Sequence, residues 1–144
     1  MEQIIQEKIS ADHLLYVSLK YTKTTDVILN LIERWKSLLG LVINKLLEKA
    51  KDSNLIKSIP TIPKFKVEKI KEVYRKDQTV MEAISLYEFF KDMEKMEKIR
   101  ENEFRKNVTL KVLNKGEWIS INIEKLKEYN LVIENIIATL NKIS

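Results

Sequence analysis

The stretch "RENEFRKNVTLKV", Arg100 to Val112, decides the fold because its character changes halfway along. Arg100 to Lys106 is dense in charge and reads as the end of a helix. From Val108 onward apolar and polar residues alternate with the period of two that a half-buried strand shows. The sequence therefore predicts a long helix running to about Phe104 that gives way to a hairpin.

The hairpin is read from "VTLKVLNKGEWISINI", in which Val108, Leu110 and Val112 alternate with polar residues, as do Ile119, Ile121 and Ile123 beyond "NKGE". A loop centred on Lys115 and Gly116 pairs Val112 with Ile119, Leu110 with Ile121 and Val108 with Ile123, so all six apolar side chains share one face. Thr109, Lys111, Ser120 and Asn122 take the opposite face, and Leu113 meets Trp118 near the tip. A lone hairpin is marginal in water, so the apolar face of residues 108–123 must rest on helices or on a partner.

Outward from the hairpin, the chain is helical. On the C-terminal side Asn122 is placed to cap a last helix whose stripe is Leu126, Tyr129, Val132 or Ile133, Ile136, Ile137, Leu140 and Ile143. On the N-terminal side Asp77 opens a helix carrying Met81, Ile84, Tyr87, Phe90 and Met93 at helical spacing, and Val67, Ile70, Val73 and Tyr74 mark a shorter one before it. Both prolines lie in "SIPTIPKF", which serves as the main connector. Before that connector, Ile28, Ile32, Trp35, Leu39, Val42 and Leu46 recur at steps of four and three, with Leu31, Leu38, Ile43 and Leu47 widening the stripe. Thr24, Thr25 or Asp26 caps the start of this helix and "KDSN" at 51–54 its end. A first helical segment around Leu14, Leu15, Val17 and Leu19, behind Ser10 and Asp12, breaks near "KYTKTT". The expected fold class is mainly α: one domain over 1–144, an up-and-down bundle of four to five helices with one β-hairpin before the C-terminal helix.

Composition narrows the chemistry. The 144 residues contain no Cys and a single His, so thiolate nucleophiles and disulfides are excluded, and the paired Glu-x-x-His motifs of a di-iron bundle cannot be built. No glycine-rich phosphate loop is available from two Gly. His13, beside Leu14 and Leu15, reads as a packing or surface residue. Glu94, Glu97 and Glu101 are spaced for one helix face, but each has a cation one turn away in Lys98, Arg100 or Arg105, so they read as a solvated salt ladder and no metal site or cofactor is expected. The N-terminus has no run suited to a signal peptide or membrane span, so the expectation is a soluble cytoplasmic protein without membrane contact.

Charge is unevenly placed. From Lys45 to Lys76 ten basic residues stand against four acidic ones, although the whole chain is only +5. Lys57, Lys64, Lys66, Lys69, Lys71, Arg75 and Lys76, interleaved with Phe65 and Tyr74, are the candidate contacts for a phosphate backbone, with bases stacking on the rings. The plainer reading is a lysine-rich solvated face whose two aromatics belong to the core.

Long antiparallel helices with an Arg near the end of a late helix resemble the HEPN superfamily, small helical bundles found with nucleotidyltransferases and in RNA-targeting systems. "SADHLLYVSLKYTKTTDVI", Ser10 to Ile28, also looks like the start of a small archaeal group of HEPN-like proteins. The resemblance implies a dimeric bundle, and in the ribonuclease members an Arg followed after four to six residues by His. Arg105 matches the first half of that motif. The positions a His would take are Leu110, Lys111 and Val112, and for Arg100 they are Arg105, Lys106 and Asn107. Leu110 cannot move a proton near neutral pH. A non-enzymatic HEPN-like module is therefore expected, acting through self-association or a protein partner such as a nucleotidyltransferase, because Leu and Ile occupy more than one face of the helix around Trp35 and Leu41. The alternative is an RNA-binding or RNA-processing protein using the basic segment 45–76.

Overall fold

The structure, a computed structural model, describes residues 1–143. Its axis is α3 (Thr25–Asp52), 28 residues long. Buried side chains run along it from Thr25 to Ala50, on more than one face. The sequence reserved this apolar surplus for a partner; the chain covers most of it, because α3 packs against α1, α4, α5 and α6 together, and Leu41 stays partly exposed.

α1 (Glu2–His13) continues through a π-helical turn, Leu14–Ser18, into the single turn α2 (Leu19–Tyr21). This helix begins well ahead of Ser10 and Asp12, which lie inside it, because Ile4, Ala11, Leu15 and Leu19 are all buried along its length. The chain breaks at Thr22 to Thr24, as the three threonines of "KYTKTT" suggest, and Thr24 Oγ1 accepts the Val27 N–H at 3.4 Å. α3 closes in "KDSN", where Asn54 takes a left-handed φ of 61°. Pro63 occupies the first position of α4 (Pro63–Val73), where its missing N–H costs nothing. Tyr74 donates its hydroxyl to the Leu46 carbonyl at 2.8 Å and so ties the end of α4 to α3. Asp77 caps α5 (Gln78–Asp92) by accepting the Val80 N–H at 3.1 Å.

α5 does not reach Phe104. It ends at Asp92, passes through a 3₁₀ turn at Met93–Lys95, and the chain then forms β1 (Lys98–Glu101). With β2 (Thr109–Asn114) and β3 (Glu117–Ile121) this makes an antiparallel sheet of order β1-β2-β3 where the sequence suggested two strands. β1 escapes a pattern search because the residues it turns to the bundle side, Lys98 and Arg100, are charged. Their alkyl stems sit level with Val112 and Leu110 across the sheet, while their heads find polar partners. Lys98 Nζ donates to the Met93 and Met96 carbonyls at 2.5 and 3.1 Å, and Arg100 Nη1 to Asp26 Oδ1 at 2.7 Å. Strand pairing on the open edge of β2 here overrides helix-forming composition.

The β2–β3 register is the one the alternation selects, with Val112 opposite Ile119, Leu110 opposite Ile121 and Leu113 opposite Trp118. Val108 and Ile123 lie just outside the strands. Lys115 and Gly116 turn the chain with φ of 51° and 83°, the two positive values a type I′ turn requires. Val108, Leu110, Val112 and Ile121 are fully buried, so the bundle itself covers the hairpin's apolar face. Asn122 Oδ1 accepts the Lys125 N–H at 2.8 Å and starts α6 (Ile123–Ile143).

The helices meet around Trp35. Its indole stacks on Phe90 at 6.1 Å and 11°, and meets the edge of Tyr129 at 6.5 Å and 89°. Each such pair adds about 0.5–1.5 kcal/mol beyond area burial. Trp35 Nε1 is buried and has no hydrogen-bond partner among the described residues, so part of the ring's contribution is offset by a desolvated N–H.

Two substitutions follow. Trp35→Ala should cost about 3–5 kcal/mol in urea unfolding, and Trp35→Phe much less than that, because it keeps a stacked ring and removes the unpaired N–H. Gly40 stands inside α3 with nothing within 4 Å of where a Cβ would lie. Gly40→Ala should therefore stabilise by about 0.5–1 kcal/mol.

Candidate functional site

The seven basic residues singled out by the sequence lie on the connector, on α4 and on the turn into α5; α4 lies along the C-terminal half of α3, where Lys66 meets Asn44 and Tyr74 meets Leu46. Three of them are occupied: Lys66 donates to Asn44 Oδ1 at 2.9 Å, Lys69 pairs with Glu72 at 3.4 Å and Lys71 with Glu88 at 2.8 Å. Lys57, Lys64, Arg75 and Lys76 are exposed and form no ion pair among the described residues. Of the two interleaved aromatics, Tyr74 is committed to Leu46. Phe65 is 49% exposed and stands beside Lys64, with Leu55 and Ile62 also exposed at this end.

Arg105 lies elsewhere. It is not the last-turn cation of a helix but an exposed residue of the loop between β1 and β2. This loop docks on the opposite end of α3. Glu103 accepts the Thr25 N–H at 3.1 Å and the Thr25 hydroxyl, so a carboxylate from 78 positions away caps the positive end of the helix. Phe104 donates its N–H to the Lys23 carbonyl at 2.6 Å, and Arg100 holds Asp26. Asn102 and Phe104 both take left-handed φ, 58° and 65°. His13 makes no hydrogen bond to Arg105; its Nδ1 lies 3.4 Å from Ser18 Oγ.

The carboxylate ladder is dissolved by the strand. Glu94 sits in the 3₁₀ turn and pairs with Lys36 at 2.6 Å, Glu97 precedes β1, and Glu101 pairs with Lys111 at 3.3 Å. Burial pulls the Lys36 ammonium down, but its hydrogen bonds to Glu94 and Glu33 outweigh that and raise its pKa. Glu94 is held below its ordinary value by the same hydrogen bond.

The surface also carries several concavities. One, of about 740 Å³, lies between the start of α1, α3 and α4, lined by Gln6, Glu7, Gly40, Asn44, Lys66 and Tyr87 among others. Another, of about 590 Å³, runs between α5 and α6 beneath β3 and is mostly apolar, with Met81, Phe89, Ile119, Tyr129 and Val132 on its walls. No helix among the described residues is long and apolar enough to cross a membrane.

The docking of Glu103 on Thr25 was the feature least visible in the sequence, since nothing local links the two. The available signal was Asn102 and Asn107, turn-forming residues at both ends of "NEFRKN", inside a run otherwise suited to a helix. No protein-family model, curated protein or solved structure matches this chain.

Glu103→Ala should destabilise the fold by about 1–2 kcal/mol in urea unfolding, the cost of losing a helix cap. Tyr129 gives a pH signature. Burial, with Glu128 adding to it, pushes its phenol up to about 12. The unfolded chain ionises this group near 10, so it loses its proton first and stability should fall as pH rises from about 10 towards 12. Tyr129→Phe should flatten that part of the stability–pH curve.

Proposed function

We propose that this protein is a non-enzymatic, HEPN-like helical module of the cytoplasm that works by binding RNA, with the basic segment at the C-terminal end of α3 as the contact surface. The observation that carries the reading is the set of four exposed cations that form no ion pair among the described residues, Lys57 on the connector, Lys64 beside the exposed ring of Phe65 at the start of α4, and Arg75 and Lys76 after its end. Phosphates are met by cations free of internal partners, and counterion release makes such binding strongly salt-dependent. The non-enzymatic part rests on the proton chemistry. The one imidazole in the chain, His13, is turned to Ser18, and Arg105 stands in a loop where Leu110, Lys111 and Val112 fill the places of a partner His.

A second reading, self-association or capture of a protein such as a nucleotidyltransferase, is favoured by the apolar groove between α5 and α6. Its walls suit the apolar face of an amphipathic helix. Clean monomeric light scattering across concentration would remove the homodimer.

The RNA reading is tested by anisotropy with labelled single-stranded RNA. Affinity should fall with salt along a slope of about −3 on a double-logarithmic plot, four phosphates each contributing about 0.7. Exchanging Lys57, Lys64, Arg75 and Lys76 together for Glu should abolish most binding without changing the far-UV circular dichroism. Binding that is unchanged in that variant, or cleavage of the RNA, would contradict the proposal.

A further inference from the structure

At the N-terminal end of α3, the α2–α3 break and the β1–β2 loop are joined by the hydrogen bond from Phe104 N–H to the Lys23 carbonyl, 2.6 Å. The junction displays two aromatic rings that are mostly exposed. Tyr21 is 78% exposed and Phe104 76%, the two highest values among the exposed large hydrophobics. Stability does not explain either. Phe104 is a bulky residue at φ 65°, a backbone region where such side chains are disfavoured, and its ring recovers little burial in return.

The charges around the rings are sorted by sign. Each nearby acid is already committed: Asp26 to Arg100 at 2.7 Å, Glu101 to Lys111 at 3.3 Å, and Glu103 to the start of α3. The cations are not. Lys20, Lys23, Arg105 and Lys106 form no ion pair among the described residues; Lys20 Nζ sits 5.8 Å from the centre of the Tyr21 ring, and Lys23 Nζ donates to the Lys20 carbonyl. The surface is thus positive and aromatic at once, assembled from segments about eighty residues apart. α3 spans about 40 Å at 1.5 Å per residue, so this corner at its start is separated from the basic segment, whose α4 meets the helix at Asn44 and Leu46.

We infer that the corner of Tyr21, Phe104, Lys20, Lys23, Arg105 and Lys106 is a stacking platform for unpaired bases of a single-stranded nucleic acid. Exposed rings accept the π-face of any base, and unpaired cations beside them meet the phosphates of the same strand. A duplex offers the phosphates but keeps its bases stacked on one another, so the rings add nothing to its binding. The site should therefore prefer single strands and tolerate sequence. Fully exposed apolar rings among cations would also suit an anionic lipid surface, which the test separates.

The experiment is fluorescence anisotropy of the full chain with labelled oligo-uridylate, oligo-thymidylate and a duplex of the same length, at two salt concentrations, with a parallel co-sedimentation on phosphatidylserine vesicles. The variants are Tyr21→Ala, Tyr21→Phe and Phe104→Gly. Phe104→Gly removes the ring and relieves the positive φ, so its melting temperature should be equal or higher and loss of folding cannot explain loss of binding. Single strands should bind more tightly than duplex. Tyr21→Ala and Phe104→Gly should each weaken that binding roughly tenfold, the scale of one base–aromatic stack, while Tyr21→Phe keeps it. The uridylate and thymidylate arms show whether the 2′-hydroxyl contributes. Ring variants that bind as the parent does, or equal affinity for duplex, would overturn the inference, as would ring-dependent binding to vesicles with none to oligonucleotide. The inference stands apart from the basic segment: loss of binding on reversing Lys57, Lys64, Arg75 and Lys76, with none in the ring variants, would uphold that segment and sink this corner, and the converse pattern would do the opposite.

Discussion

Burying a broad face of a 28-residue helix, from Thr25 to Ala50, is the constraint from which the rest of the structure follows. An isolated helix satisfies its own interior hydrogen bonds but leaves the first N–H and last C=O groups open, and a buried helix cannot leave those to water. α3 meets the first demand by gathering α1, α4, α5 and α6 around it. It meets the second at its C-terminal end through Ser53, whose N–H reaches the Lys49 carbonyl, and at its N-terminal end through Thr24 and, across the fold, Glu103. The β1–β2 loop is therefore structural at its base, where Glu103 and the Phe104 amide dock. Only its outward side, the Phe104 ring with Arg105 and Lys106, is free for another purpose.

What the sequence made legible was whatever rests on periodicity or on local capping chemistry. The stripe of α3, the two prolines of the connector, Asp77 and Asn122 as caps, and the pairing of Val112 with Ile119 all depend on residues close in sequence or on a strict alternation. β1 was hidden because its bundle-facing residues are Lys98 and Arg100, whose apolar stems leave no hydrophobic pattern. The salt ladder of Glu94, Glu97 and Glu101 failed with it, since those spacings face one another only on a helix. The surplus of apolar positions around Trp35 and Leu41 was legible as a demand for cover, and most of that cover comes from α1, α4, α5 and α6 of the same chain.

For the candidate site the division is similar. The basic segment was visible as a local excess of charge, but which of its lysines are free was not, because Asn44 and Glu88, the partners of Lys66 and Lys71, come from other elements. The corner of Tyr21 and Phe104 left no trace in the sequence: its halves are far apart, each with only two cations. Arg105 attracted notice as half of a catalytic pair, and the fold gives it different company, an exposed ring and lysines in place of an imidazole. The two positive segments are then separate, one on the connector and α4 along the C-terminal half of α3 and the other on the strained loop at its start.

The most direct measurement of this account is hydrogen exchange followed by mass spectrometry, with and without oligo-uridylate of about a dozen nucleotides, within the range of single-strand site sizes. The account predicts slower exchange at both ends of α3, in residues 20–25 with 102–107 and in residues 57–76, while the α5–α6 groove is unaffected. Protection confined to the groove, in residues 78–89 and 125–132, or no protection at saturating oligonucleotide, would contradict it.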